Sequence, residues 1–106
     1  MCSPGIIYIQ LLIIATKWGI LMEGFLRKFT QLNGETVKII IDHYLFDQQI
    51  FYFSELQTIN DDRVGVIIKG RDIYVYKRDV SMTEILGDMY TISDGKLTIK
   101  VIVNRL

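Results

Sequence analysis

Residues 34–56 read GETVKIIIDHYLFDQQIFYFSEL, and this stretch decides the fold. Within Thr36–Asp42 every second residue is apolar, which is the period of a β-strand. Within Gln49–Leu56 both faces are apolar, as the neighbours Ile50 and Phe51 illustrate. A strand that is apolar on both faces is typical of a bent strand in a closed barrel or at an interface.

A short helix is predicted before this stretch, over residues 23–33. Phe25, Phe29 and Leu32 fall on one face of a 3.6-residue period. The pair Asn33-Gly34 is a stop signal, because glycine readily takes the left-handed conformation that follows a last helical turn.

Short strands separated by small turns are predicted after this stretch, with the Asp-Gly pair at 94–95 as the clearest hairpin signal. The scattered glycines, such as Gly65 and Gly70, are assigned to turns rather than to a phosphate-binding loop. The further strands are Val64–Lys69, Asp72–Lys77 (a hairpin around Gly70-Arg71), Val80–Leu86, Met89–Ile92 and Lys96–Asn104. This order favours a small antiparallel barrel of about five strands, with an added C-terminal β-hairpin.

Composition limits the class of protein. The chain has 106 residues, 12 Lys+Arg against 12 Asp+Glu, and is 50% hydrophobic. That length suits one domain, and the apolar content is too high for a disordered segment. A net charge of zero argues against coating of nucleic acid by bulk electrostatics, so any nucleic-acid site must be a local patch.

The first residues differ from the rest, because 1–22 hold a single charged residue, Lys17. Three interpretations stay open for an apolar leader at 1–21: a mis-assigned start, a membrane or signal segment, or an element of the fold. The codons of Trp18-Gly19 force the bases TGGGG roughly seven bases before the ATG of Met22, near the spacing of a bacterial ribosome-binding site, which favours the first. Residues 22–106 are expected to form the single domain.

Catalytic and metal chemistry find little support. The chain has one histidine, His43, assigned to an exposed turn, and one cysteine, Cys2, so it can form no internal disulfide. The adjacent acids Asp61 and Asp62 are assigned to a solvated turn. We therefore expect no enzyme, no cofactor and no metal site, and a cytoplasmic protein.

One segment has the composition of a nucleotide contact. Tyr74 and Tyr76 share a strand face and are followed at once by Lys77 and Arg78. Aromatic rings beside cations suit base stacking and phosphate contact. The same residues equally suit a packed strand face followed by a solvated turn, and both interpretations stay open.

Three segments resemble the Sm-like proteins, and among them the bacterial Hfq type. They are GETVKIII at 34–41, FDQQIFYFS at 46–54 and VYKRDVS at 75–81. The resemblance implies a strongly bent five-stranded Sm-like barrel after an N-terminal helix, and homo-oligomeric rings that bind RNA. It implies RNA contacts by Lys77, with Arg78 in place of the family's histidine. Gln48, Ser54 and Leu56 depart from the family pattern.

Residues 66–92, VIIKGRDIYVYKRDVSMTEILGDMYTI, also resemble the small sporulation proteins of the YabP and YqfC type. That resemblance implies a structural or assembly protein without nucleic-acid binding. Unpaired strand edges favour self-association under either resemblance. The expected partners are therefore further copies of the chain, with RNA under the first resemblance, and a membrane only if residues 1–21 are genuine.

Overall fold

The computed structural model describes residues 22–104, so the three interpretations of residues 1–21 lie outside the described part. A helix, α1, spans 22–30, and strands follow it. The strands are β1 (Thr36–His43), β2 (Phe46–Glu55), β3 (Thr58–Asn60), β4 (Arg63–Ile68), β5 (Arg71–Tyr76), β6 (Met82–Leu86), β7 (Met89–Ser93) and β8 (Leu97–Val103). The prediction of a mainly β fold with one short N-terminal helix and antiparallel pairing is confirmed.

The strands form two antiparallel sheets. The larger sheet has the order β2-β1-β8-β7-β6, and the smaller one has the order β3-β4-β5. The C-terminal hairpin, β7–β8, is an integral part of the larger sheet rather than the expected addition to it. Its second strand, β8, is the central strand and pairs with both β1 and β7. Ile39 faces Val101 and Ile41 faces Ile99, so the alternating apolar residues of β1 and β8 point to the same side.

A single buried cluster joins the helix to both sheets. Phe25 of α1 stacks on Phe29 with ring centroids 5.4 Å apart and meets Tyr90 of β7 at 6.4 Å. The most deeply buried members are Phe29, Val37, Ile39, Leu56, Val64, Val66, Val75, Ile92, Ile99 and Val101. Each sheet therefore contributes one apolar face to the cluster.

Helix α1 ends three residues earlier than predicted. After residue 30 the backbone tightens, with Leu32 N–H donating to the Phe29 carbonyl and Asn33 N–H to the Thr30 carbonyl. Such tight turns satisfy carbonyls that a helix end leaves open. Leu32 remains buried although it lies outside the helix, and Gly34 has the expected positive φ of 89°.

The turn between β4 and β5 lies one residue earlier than predicted. Its two residues are Lys69 (φ 52°) and Gly70 (φ 76°), between the paired Ile68 and Arg71. Two positive φ values in a two-residue loop define a type I′ hairpin, which matches the twist of the strands. The assignment of Gly65 to a turn is wrong: it lies inside β4, where an added Cβ would clash with the Ile73 carbonyl oxygen of β5.

Strand β2 is irregular, with β-bulges of the kind that bend a strand, as its two apolar faces predict. Its register against β1 shifts twice, between Val37 and Ile39 and between Ile41 and His43. At the first shift Tyr52 and Phe53 together face one residue of β1, which is the arrangement of a β-bulge. Phe53 has a φ of 53°, in the left-handed region that bulky residues rarely enter.

Membrane crossing by a helix finds no support in the described range. Within 22–104 no helix combines the length and the apolar content that a bilayer span requires.

Candidate functional site

Three of the four predicted nucleotide-contact residues, Tyr74, Tyr76 and Arg78, lie together on β5 and the turn that follows it. The rings of Tyr74 and Tyr76 meet edge to face, with centroids 5.4 Å apart. The Arg78 guanidinium lies 4.8 Å from the Tyr76 ring centroid, and the Arg63 guanidinium 4.9 Å from that of Tyr74. These four side chains form a continuous row, which we call the tyrosine–arginine row.

Arg63 was not identified from the sequence. It belongs to β4 and stands opposite Tyr76 in the β4–β5 register, one diagonal step from Tyr74. The predicted turn at Gly70-Arg71 would place Arg63 opposite Arg78. The observed turn at Lys69-Gly70 shifts the register and brings Arg63 within reach of the two tyrosines, because cross-strand and diagonal neighbours contact long side chains.

Carboxylates surround Arg63. Asp61 accepts hydrogen bonds from Arg63 Nε (3.2 Å), Arg63 NH2 (2.9 Å) and the Arg63 backbone N–H (2.7 Å). Asp72 accepts from Arg63 NH1 at 3.3 Å, and Asp62 lies 3.9 Å from Arg63 Nε. The turn holding Asp61 and Asp62 is exposed, as predicted, and its acids organise an arginine.

The contacts within and beside the row shift the pKa values of Asp61, Arg63 and Tyr76. Side-chain and backbone hydrogen bonds from Arg63 hold the pKa of Asp61 far below its usual range, and Asp61 raises the pKa of Arg63 in return. The pKa of Tyr76 is raised, first by its hydrogen bond with the Tyr74 phenol and then by the charge of that neighbour. Both ends of the Arg63–Asp61 pair are therefore charged at neutral pH.

Lys77 begins the 3₁₀ turn Lys77–Asp79 and is half-buried, while Arg78 is exposed and lies 3.8 Å from an Asp79 oxygen. Together with Arg63 they supply three cations. Four carboxylates, those of Asp61, Asp62, Asp72 and Asp79, pair with the two arginines, so the row carries no excess of positive charge. Tyr74, Tyr76 and Arg78 thus lie together, Lys77 follows Tyr76 in the chain without joining the row, and the balance of charge does not favour a polyanion.

A second surface is apolar and lies on the β1–β2 turn and β2, the end strand of the larger sheet. Its large side chains, which we call the apolar edge, are Tyr44, Leu45, Phe46, Ile50, Tyr52 and Phe53. Phe53 is the most exposed of them, at 76%. Residues 44–53 include one charged residue, Asp47. The two bulges, at Tyr52-Phe53 and at Asp47-Gln48, interrupt the simple alternation of faces along β2.

The apolar edge exposes a large summed area. Its six residues are 40–76% exposed, and with about 150–250 Å² for a large side chain the sum is roughly 700 Å². That sum approaches the ~800 Å² that each partner buries in a standard interface.

His43 packs against two aromatic side chains at the β1–β2 turn. It is the last residue of β1 and is half-buried, not fully exposed as predicted. Its ring lies 4.8 Å from that of Tyr44 and 5.1 Å from that of Phe46, and its Nδ1 accepts the Leu45 backbone N–H at 3.2 Å. The imidazole therefore supports the turn that presents the start of the apolar edge.

Comparison with known proteins identifies no relative: no protein-family model, curated protein or solved structure matches the chain. Within 22–104 no group of three or more histidine, cysteine or acidic side chains is placed to hold a metal ion. The two surfaces described above are thus the features from which function can be argued.

Proposed function

We propose that the chain is a small non-catalytic assembly module that associates with copies of itself through the apolar edge. The observation that carries the proposal is the roughly 700 Å² of apolar side chain exposed on residues 44–53. Burial of apolar surface is favourable by about 25 cal/mol per Å², and this gain offsets part of the free-energy cost of association.

A second copy is the occupant that the chemistry of this surface favours. The apolar edge has one charge, so it offers little to select a charged partner. An apolar patch is complementary to itself, and a two-fold axis through it buries both patches at once. Lys38, whose Nζ lies 5.2 Å from the centroid of the Tyr52 ring, adds a cation beside the patch, and Asp47 provides an acid within it.

The test is the particle mass of the full chain by light scattering over a range of concentrations. We expect a dimer or a larger closed oligomer, and a shift to the monomer in Phe53→Gly and Tyr52→Ser. Leu86→Ser is the matched control, because Leu86 is 58% exposed on β6, the opposite end of the same sheet. A wild-type monomer at high micromolar concentration, or an equal effect of Leu86→Ser, would contradict the proposal.

RNA binding in an Sm-like ring is the second candidate. It is supported by the tyrosine–arginine row, in which Tyr74 and Tyr76 lie beside Arg78, with Lys77 next in the chain. The absorbance ratio of the purified particle at 260 and 280 nm tests it directly. Co-purified nucleic acid that is lost with rising salt, and lost in Lys77→Ala or Arg78→Ala, would support this candidate; a clean protein spectrum and no affinity at low salt would exclude it.

A further inference from the structure

A groove runs between the two sheets. It lies between β2, an end strand of the larger sheet, and β5, an end strand of the smaller sheet, and no backbone pairing joins these two strands in the described structure. The central cavity has a volume of about 630 Å³. Its lining residues are Gln49, Ile50 and Phe51 from β2, and Ile68, Lys69, Arg71 and Ile73 from the β4–β5 hairpin.

The groove continues beyond this cavity at both ends. A cavity of about 240 Å³ extends it past Phe46 and Leu97 and shares Ile73 with the centre. Another of about 350 Å³ extends it past Ser54 and Glu55 and shares the 68–69 pair. The groove therefore follows most of β2, which at ~3.3 Å per residue is the shape of an extended chain rather than of a compact ligand.

The edges of the groove offer backbone pairing. The outer side of an end strand presents unpaired N–H and C=O groups to whatever lies beside it. Because β2 and β5 are both end strands, a chain placed between them can pair on both sides. A folded copy of β2 cannot do so, since its other side already pairs with β1, so the groove suits a free segment.

The charges of the groove select the chemistry of that segment. Its floor includes Ile50, Phe51 and Ile73, and its rim has Lys69 and Arg71. The Lys69 Nζ lies 6.0 Å from the Phe51 ring centroid. Neither Lys69 nor Arg71 pairs with a carboxylate of the described residues, in contrast to Arg63 and Arg78.

No acid lines the central cavity, and the acids of the two end cavities are Asp47 and Glu55. Lys69 also stands at a turn position that favours asparagine or glycine, because its φ is 52°. A cation in a left-handed position is a departure from local preference of the kind expected at functional sites.

We infer that this groove binds an extended peptide segment of a partner protein, with alternating apolar residues and one central carboxylate held by Lys69 and Arg71. The peptide adds a strand between β2 and β5 and so joins the two sheets. Phe46 and Ile50 belong both to this groove and to the apolar edge, whereas Tyr52 and Phe53 line none of the three cavities, so substitutions at Tyr52 and Phe53 separate peptide binding from the proposed self-association.

Three labelled peptides test the inference by fluorescence anisotropy with the full chain. Each has about seven residues, matching the groove at ~3.3 Å per residue, and alternates valine with threonine. The first has a central glutamate, the second a central lysine, and the third the glutamate with N-methyl groups on alternate residues. We expect the first to bind and the other two to bind roughly tenfold more weakly, because they lose the charge contact and the backbone donors respectively.

Variants of the full chain decide the role of the cations. Lys69→Glu with Arg71→Glu should reverse the preference between the glutamate and lysine peptides. Lys69→Asn, which suits the turn and should fold at least as well as the wild type, should weaken binding of the glutamate peptide alone. Lys100→Glu is the control, because Lys100 lines none of the cavities, and should change nothing.

Equal affinity for all three peptides, no binding of any, or an unchanged preference after charge reversal would each overturn the inference. Phe53→Gly should bind the glutamate peptide as the wild type does. Peptide binding can therefore succeed when self-association fails, and the reverse.

Discussion

Phe53 allows a sharp test of the first bulge in β2, because the effects of its backbone conformation and of its side chain can be separated. Its φ of 53° favours glycine, and its ring is 76% exposed. Holding a bulky residue in the left-handed region costs about 1–2 kcal/mol. In an ordinary strand the order is the opposite, since glycine is about 0.5–1 kcal/mol less favourable than alanine.

The informative comparison is Phe53→Gly against Phe53→Ala. Both remove the ring, but only glycine relieves the backbone, so Phe53→Gly should be more stable than Phe53→Ala by about 1 kcal/mol. With a urea m-value of about 1–1.5 kcal/mol/M, the midpoints should differ by roughly 0.7–1 M. Circular dichroism of urea unfolding measures this difference.

Tyr52 provides the control, because it belongs to the same bulge but lacks a positive φ. Tyr52→Gly should therefore be less stable than Tyr52→Ala. If Phe53→Gly is also the less stable member of its own pair, the left-handed conformation at Phe53, and with it the geometry of the first bulge, is wrong. Self-association should weaken equally in both Phe53 variants, since both lack the ring.

Three further outcomes follow from local contacts. Gly65→Ala should destabilise the fold by about 1–3 kcal/mol, because the added Cβ would clash with the backbone of the facing strand. Gly24→Ala, which has open space around it, should stabilise α1 by about 0.5–1 kcal/mol. Thermal unfolding of the two variants measures both effects. Thr91→Val should be neutral or stabilising because its buried hydroxyl finds no partner in the described structure, while Thr98→Val should destabilise by about 1 kcal/mol because its hydroxyl donates to a serine oxygen at 2.9 Å. Because folding lowers the pKa of Asp61, the stabilising effect of this carboxylate is present above its unfolded pKa of about 3.8 and is lost as the pH falls through the folded value. The difference in melting temperature between the wild type and Asp61→Asn should therefore shrink below about pH 4. A constant difference would contradict the Arg63 pairing.

The sequence predicted elements better than it predicted how they assemble. Periods of two and 3.6 residues placed α1 and the longer strands to within a few residues, because burial of one face controls both patterns, whereas the short strand β3 was not predicted. The central position of β8 could not be predicted, since its alternation, with Ile99 and Val101 inward, would suit an added hairpin equally well. Pairing partners far apart in the chain leave no local signal.

The candidate sites divide in the same way. Tyr74, Tyr76 and Arg78 were found because they are neighbours in sequence, and the structure places them in one row. The acids that neutralise the row were not anticipated, because Arg63 itself was not identified: Asp61 contacts it within the turn before β4, and Asp72 contacts it across the hairpin. The groove beside Lys69 lies between the two sheets, and no local pattern in the sequence predicts a groove of this kind.

The central position of β8 has a consequence for how the chain is made. Strand β1 lacks one of its two neighbouring strands until Leu97–Val103 has been synthesised, some sixty residues later. Such a high contact order slows folding, and it delays completion of the larger sheet until translation of residues 22–103 is nearly finished. During that interval the apolar β1 and β2 are exposed together on the nascent chain. Conditions that slow translation therefore extend the period in which this protein is most prone to aggregate and most dependent on chaperones.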